Sequence, residues 1–248
     1  MSGHSKWHNI QARKGKQDSI RSSQFTKVGK LITVAARTGG GDQATNFSLR
    51  VAIEKAKEVG MPKDNIERAV KRGTGEMAGT AQIEEVMYEG YGPGGAAILI
   101  KALTDNKNRT VSDIKHFLSD AGGSMASAGS VTWMFERAGI ITIPALGGSA
   151  SGGSNMSRDD FELAMIDAGA EDIRDVEDNQ IEIKIKVENL QKVLNKVKEL
   201  GVESKESGIM WVAKDKVAVS DNVRKKLENL FGEFETNDDV EDYFTNAE

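Results

Sequence analysis

The sequence predicts an α+β protein with an N-terminal basic domain of three helices, followed by two α/β domains. Two observations lead to this prediction. The apolar residues recur with a helical period between residues 18 and 73, and they form strand-like runs from residue 83 onward. The charge divides at the same place: residues 1–76 hold fifteen Lys and Arg against seven Asp and Glu, and the remainder holds eighteen against thirty-one. The net charge of −5 therefore conceals a polarised chain.

Length and composition set the broad class of the protein. A chain of 248 residues with 38% hydrophobic and 29% charged residues can bury more than one core. It has no cysteine, which excludes disulfides and thiolate metal sites and suits a reducing compartment. No apolar run approaches the ~18 residues of a membrane span. We therefore expect a cytoplasmic protein with no membrane partner. The sequence leaves the oligomeric state open and favours a monomer.

The first domain is predicted to span residues 1–78. Residues 1–17 are polar and basic without apolar periodicity, so they are expected to form an arm that is mobile until it meets a partner. A helix is predicted from Asp18 to Arg37, with apolar residues on one face and Lys27, Lys30 and Arg37 opposite. A second helix is predicted to run from an N-cap at Asn46 to Val59, and a third from Pro62 to Gly73.

A middle α/β domain is predicted from the pattern after residue 79. Residues 83–91 and 96–103 are predicted strands joined by a tight turn at Gly92–Gly95. A helix containing Val111, Ile114 and Leu118 follows, and residues 130–136 are predicted to form a third strand.

The next segment, residues 138–214, has the element order βαββαβ, which is the split unit of ferredoxin-like folds. It begins with a strand at 139–143 and continues through an exposed Gly/Ser-rich loop at Gly147–Ser157. A helix, a hairpin of residues 171–176 and 180–187, a second helix and a strand at 208–213 complete it.

A last helix after Ser220 and a strand at 239–245 are surplus to this unit. The middle domain lacks a helix and a closing strand, so we expect the C-terminus to return and complete it. The middle domain would then be discontinuous, comprising residues 79–137 and 215–248, with residues 138–214 inserted.

The sequence offers little that could support catalysis. His4 and His8 have the i, i+4 spacing of a helical metal pair, but no neighbouring ligand completes a set. His116 is expected on a helix surface. The turn Gly90–Gly95 joins two strands and lacks the Lys-Ser/Thr of a phosphate-binding loop, so a hairpin turn is the better interpretation. We therefore expect no enzymatic activity, no cofactor and no metal. An enzyme acting on a phosphorylated small molecule is kept as a remote alternative.

The basic N-terminus is the clearest functional feature. Its cations can neutralise phosphates, and an interleaved tryptophan can stack on a base, which predicts binding to nucleic acid, either DNA or ribosomal RNA. A solvated helix face is the simpler interpretation of such a charge run. The candidate binding residues are Lys6, Trp7, Arg13, Lys14, Lys16, Arg21, Lys27, Lys30 and Arg37.

Nine further segments carry a distinctive pattern: Gly3–Ile10, Arg13–Lys16, Phe25–Lys27, Gly39–Asp42, Met61–Arg68, Tyr88–Gly95, Leu103–Thr110, Gly129–Phe135 and Tyr243–Asn246. In these segments the chain resembles the YebC family, the bacterial relatives of the mitochondrial translational activator of cytochrome c oxidase. The resemblance implies three domains and no enzymatic activity. It also implies a DNA-binding transcriptional regulator or, as in other members, a ribosome-associated translation factor.

Overall fold

A computed structural model describes residues 17–77, with side chains from residue 22, together with residues 82–146, 157–176 and 179–248. The helices in these ranges are α1 (Gln17–Gly39), α2 (Phe47–Glu58), α3 (Lys63–Gly73), α4 (Lys107–Asp120), α5 (Arg158–Ala168), α6 (Leu190–Glu199) and α7 (Asp221–Thr236). The strands are β1 (Glu84–Tyr91), β2 (Ala97–Thr104), β3 (Ser124–Ala126), β4 (Phe135–Pro144), β5 (Ala170–Val176), β6 (Gln180–Ile185), β7 (Glu206–Ala213) and β8 (Val240–Thr245). The predicted α+β class is confirmed.

The first three helices pack around an apolar core of their own. Val28 and Ile32 of α1 are buried against Leu49 and Ile53 of α2 and Ile66 of α3. These residues recur every three or four positions, which places them on one side of each helix.

Asn46 fixes the start of α2, as its N-cap position predicts. Its Oδ1 accepts a hydrogen bond from the backbone N–H of Leu49 at 3.0 Å. Its Nδ2 donates to the carbonyls of Ala35, at 2.8 Å, and Gly40, at 2.7 Å. The side chain therefore caps one helix while it fastens the end of the helix before it.

The C-terminal end of α3 approaches α1 closely because residue 73 is a glycine. A Cβ at Gly73 would lie 2.4 Å from the Thr33 carbonyl oxygen and 2.7 Å from the Ala36 Cβ. Real Cβ atoms do not come this close to backbone oxygen, so α1 and α3 could not keep this distance with any other residue there.

The first sheet is four-stranded, with the order β3-β1-β2-β8. Its central strand β2 is almost wholly buried, consistent with the apolar run Ala97–Leu99. Helices α4 and α7 contribute Ile114, Leu118, Leu227 and Phe231 to the buried set. The C-terminal strand therefore joins the strands that follow the helical region.

The second sheet has the order β5-β6-β4-β7 with antiparallel neighbours throughout. With α5 between β4 and β5, and α6 between β6 and β7, this is the predicted βαββαβ arrangement. Its core includes Ile141, Phe161, Ile183, Val193 and Val197.

The chain forms two compact units. Among the described residues, one unit comprises residues 17–131 and 220–243, so the three helices and most of the first sheet belong together. The other comprises residues 132–219 and 244–248. The domain limits proposed from the sequence remain a prediction, and residues 147–156 of the predicted loop lie outside the described ranges.

The predicted strand at 130–136 is wrong. The third strand of the first sheet is Ser124–Ala126, residues 132–134 form a short 3₁₀ turn, and β4 runs unbroken from Phe135. The buried carboxylate of Glu89 explains the difference, because it accepts hydrogen bonds from the backbone N–H groups of Gly129, at 2.6 Å, and Val131, at 2.7 Å. These bonds fold the segment into a loop, despite its β-branched and aromatic residues.

The close contact at Gly73 predicts opposite effects for two glycine-to-alanine substitutions. Gly73→Ala should lower the free energy of unfolding by about 1–3 kcal/mol, because the new methyl group has no room. Gly29→Ala, inside α1 with no atom within 4 Å of its added Cβ, should raise it by roughly 0.5–1 kcal/mol through helix propensity. Urea unfolding of the two variants checks this, and a stabilising Gly73→Ala substitution would contradict the packing described.

Candidate nucleic-acid interface

The predicted binding residues fall into three groups. Lys6, Trp7, Arg13, Lys14 and Lys16, together with the side chain of Arg21, lie outside the described residues. Arg37 is exposed in the last turn of α1. Lys27 and Lys30 lie on α1 but are directed at the C-terminal part of the chain, where both have partners.

Lys27 binds the C-terminal end of α7. Its Nζ donates to the backbone carbonyls of Phe234 at 3.0 Å and Glu235 at 2.8 Å. The last carbonyls of a helix have no partner within the helix and carry the negative end of its dipole, so an ammonium group suits this position. Burial nevertheless lowers the pKa of Lys27 to about 8, against the attraction of Glu235 and nearby acidic groups, which acts in the opposite direction.

Lys30 binds the turn between α7 and β8. Its Nζ donates to the backbone carbonyl of Asp238 at 2.9 Å and to the Asp239 carboxylate at 2.5 Å. The lysine side chain is 13% exposed and the aspartate 3% exposed, so the ion pair is shielded from solvent. A buried carboxylate of this kind needs several donors to offset its lost hydration.

Asp239 has those donors. The Arg109 guanidinium of α4 donates to it through Nε at 3.1 Å and through Nη2 at 2.8 Å. The hydroxyl of Thr110 donates at 2.8 Å. Burial alone would raise the pKa of Asp239, but the hydrogen bonds from Lys30, Arg109 and Thr110 outweigh it and hold the pKa below its usual value. We call Lys27, Lys30, Arg109 and Asp239 the C-terminal clasp.

The clasp changes the interpretation of α1. Lys27 and Lys30 were predicted to bind phosphate or, in the simpler interpretation, to lie on a solvated helix face. In the structure, α7 and the turn after it cover both side chains. The partners are 207 and 209 residues away along the chain. No periodicity within α1 could have revealed them.

Exposed cations of the same region lie on the other two helices. None of them makes a side-chain hydrogen bond or ion pair within the described ranges, apart from Lys63, which pairs with Glu67 at 3.5 Å. They were not among the candidate binding residues predicted from the sequence. They are Lys55, Lys57, Lys63, Arg68, Lys71, Arg72 and Arg50, whose guanidinium carbon lies 5.3 Å from the centre of the Phe47 ring.

A cleft of about 520 Å³ opens between α1 and α3. Phe25 and Met61 form part of its apolar wall. The polar groups that line it are Thr26, Lys30, Asn65, Arg68, Arg72 and Asp105.

Other kinds of site find no support in the described ranges. They contain no cluster of three or more His, Asp or Glu side chains that could hold a metal ion. None of the helices there combines the length and the apolar character needed to cross a bilayer. The exposed cations are the groups of the helical region best suited to bind a ligand, which would have to be anionic.

Family models match most of the chain. Residues 5–76 match the TACO1/YebC N-terminal domain, and residues 83–247 match the TACO1/YebC second and third domain. The chain belongs to the TACO1/YebC family. The resemblance seen in the sequence is confirmed, and the boundary between the two matched regions falls where the period and the charge of the sequence change.

Relatives of this YebC-family chain are similar along its whole length. Proteins of Pseudothermotoga lettingae and Kosmotoga olearia are 46% and 48% identical over all of this chain and 94% of their own. A protein of Maridesulfovibrio salexigens is 47% identical over 96% of its own length. Each is named a probable transcriptional regulatory protein. The crystal structure of a conserved hypothetical protein from Aquifex aeolicus is 37% identical, with a TM-score of 0.79 over 95% of this chain and 93% of that one.

The clasp predicts that one of two adjacent aspartates in this YebC-family chain is critical for stability. Asp239→Asn should lower the free energy of unfolding by about 3 kcal/mol, because Lys30 and Arg109 would lose a buried counter-charge. Asp238→Asn removes an exposed carboxylate but keeps the backbone carbonyl that Lys30 binds, so its effect should stay within about 0.5 kcal/mol. Urea unfolding at neutral pH compares them, and equal effects would contradict the role given to Asp239.

The lowered pKa of Lys27 predicts a particular pH dependence. The pKa of Lys27 is about 8 in the folded chain, against the ordinary value of 10.5 that applies when the chain is unfolded. The folded state therefore binds this proton less tightly than the unfolded state. Relative to Lys27→Met, the free energy of unfolding of the natural chain should be constant below pH 8. It should rise between pH 8 and 10.5, by up to about 1.4 kcal/mol per pH unit.

Urea unfolding of both proteins across this pH range measures that difference. The contributions of all other titrating groups are the same in both proteins and cancel in the difference, so only the titration of Lys27 remains. A difference that stays flat or falls above pH 8 would show that the Lys27 ammonium is not desolvated.

Proposed function

We propose that this protein is a non-enzymatic, nucleic-acid-binding regulator of gene expression that acts on DNA as a transcriptional regulator in the cytoplasm. The observation that carries the proposal is the surplus of positive charge in residues 1–76, several of whose described cations are exposed and, apart from Lys63, form no ion pair with the described residues. Such cations bind phosphates and release counter-ions, which gives affinity that falls with salt. The name shared by the bacterial relatives supports the regulatory role.

The proposed contact surface consists of the basic arm and the exposed cations of the helical region. Lys6, Arg13, Lys14 and Lys16 would bind phosphates, and Trp7 would stack on a base. Arg21 and Arg37 would extend this surface along α1. Lys27 and Lys30 would contribute only where the C-terminal clasp opens, because their ammonium groups are already bound.

A ribosome-bound translation factor that contacts ribosomal RNA is the second candidate. The family shares its name with a mitochondrial translational activator, and phosphate contacts serve either polymer. The exposed cations of α2 and α3 are mostly lysines, which bind phosphate as point charges, and this favours contact with little sequence preference.

The arm variant K6E/R13E/K14E/K16E tests the proposal. It should bind duplex DNA far more weakly, and the slope of log affinity against log salt should fall by about three to four units, since each lost phosphate contact removes roughly 0.9. The control K192E/K198E/K225E/K226E makes the same change of charge at exposed positions outside the helical region. It should keep most of the slope, and equal losses in the two variants would contradict a local interface.

Two measurements on the natural chain separate the two targets. Selective promoter binding in gel shifts at physiological salt, without co-sedimentation with ribosomes in sucrose gradients, would eliminate the translation factor. Co-sedimentation with ribosomes, together with indiscriminate binding to DNA, would eliminate the transcriptional regulator.

A further inference from the structure

Three polar side chains on α3 form a stripe that faces one cleft. Asn65, Arg68 and Arg72 are spaced by three and four residues, so they lie on the same side of the helix. All three line the cleft between α1 and α3, and all three are exposed. The sequence analysis did not include them among the candidate binding residues.

The two arginines of the stripe have no partner within the described ranges. The other charged residues around the cleft do have partners: Lys30 is bound to Asp239, and the Asp105 carboxylate accepts from Arg109 Nη2 at 2.9 Å. On α3 itself, Glu67 is paired with Lys63. Among the described residues, the cleft therefore presents two guanidinium groups without an ion pair, since its one lining carboxylate, Asp105, is bound to Arg109.

We propose that this cleft holds the sugar–phosphate backbone of a single nucleic-acid strand, with Arg68 and Arg72 each binding a phosphate. A guanidinium group presents a planar fork of donors that matches two phosphate oxygens. One turn of helix separates the two arginines, about 6 Å along its axis, so they can reach neighbouring phosphates of one strand. The Asn65 amide donates to the same backbone.

The shape of the cleft favours a single strand over a duplex. Two of its walls come from packed helices, with Thr26 of α1 on one side and the stripe of α3 on the other, and Ile83 and Asp105 complete the lining. Proteins that bind single strands use positively charged grooves that follow the backbone, whereas a duplex is wider and contacts convex or protruding elements. A looped RNA and an unpaired DNA strand offer the same phosphates, and both are included in the test. This inference rests on the proposed nucleic-acid-binding function.

The experiment measures fluorescence anisotropy of labelled single-stranded RNA, single-stranded DNA and duplex DNA between about 50 and 200 mM salt. R68Q/R72Q should bind both single strands about tenfold more weakly, with a salt slope lower by about 1.4, the value for two phosphates on a single strand. The matched control K192Q/K198Q removes two exposed charges from α6, outside the proposed contact surface, and neither residue lines the cleft. It should change single-strand affinity much less.

A second variant separates binding from folding. R68K/R72K keeps both charges but loses the guanidinium fork, so it should restore the salt slope while affinity stays below that of the natural chain. A folding defect would change the circular-dichroism melting curve, which should be the same for all these variants because the side chains are exposed.

The outcomes distinguish this inference from the proposed function. If the natural chain binds and the arm variant is impaired, but R68Q/R72Q behaves like K192Q/K198Q, the cleft assignment is overturned while the proposed function stands. An equal loss for duplex and single strands would overturn the single-strand assignment. If the natural chain binds none of the three probes, the proposed function itself fails.

Discussion

The buried carboxylate of Asp239 determines how the first compact unit is held together. It accepts hydrogen bonds from Lys30 of α1 and Arg109 of α4, and it lies just before β8, so one side chain joins elements from both ends of the unit. Leu103 of β2 donates its backbone N–H to the Asp239 carbonyl at 2.8 Å, which fixes the same residue to the sheet. Loss of this charge would leave two cations without a buried counter-ion, which is why a single substitution there should matter.

The clasp also divides the cations of the helical region into two sets. Lys27 and Lys30 serve the fold, since their ammonium groups satisfy carbonyls and a carboxylate of the chain itself. Arg37, Arg68 and Arg72 have no such partners among the described residues. The acidic residues near the end of α7 thus have a structural use, because they and the carbonyls beside them bind the two lysines.

Local patterns predicted the elements well where residues within or next to an element determine its ends. Asn46 was correctly expected as an N-cap, the glycines at 60 and 73 mark helix ends, and the order of strands and helices after residue 139 gave the second sheet. Failures came from distant partners. Residues 130–136 have strand-forming side chains, but Glu89 binds their backbone as a loop. Strand β3 is only three residues long, too short to show a period, and the partners of Lys27 lie 207 residues away.

Hydrogen–deuterium exchange of the full chain, with and without saturating nucleic acid, tests whether nucleic acid binds the basic arm and the cleft while the clasp stays closed. Slower exchange on binding is expected in residues 1–37 and 63–77, with residues 221–245 unchanged. Protection confined to residues 157–199, or a marked change in residues 221–245, would contradict this expectation.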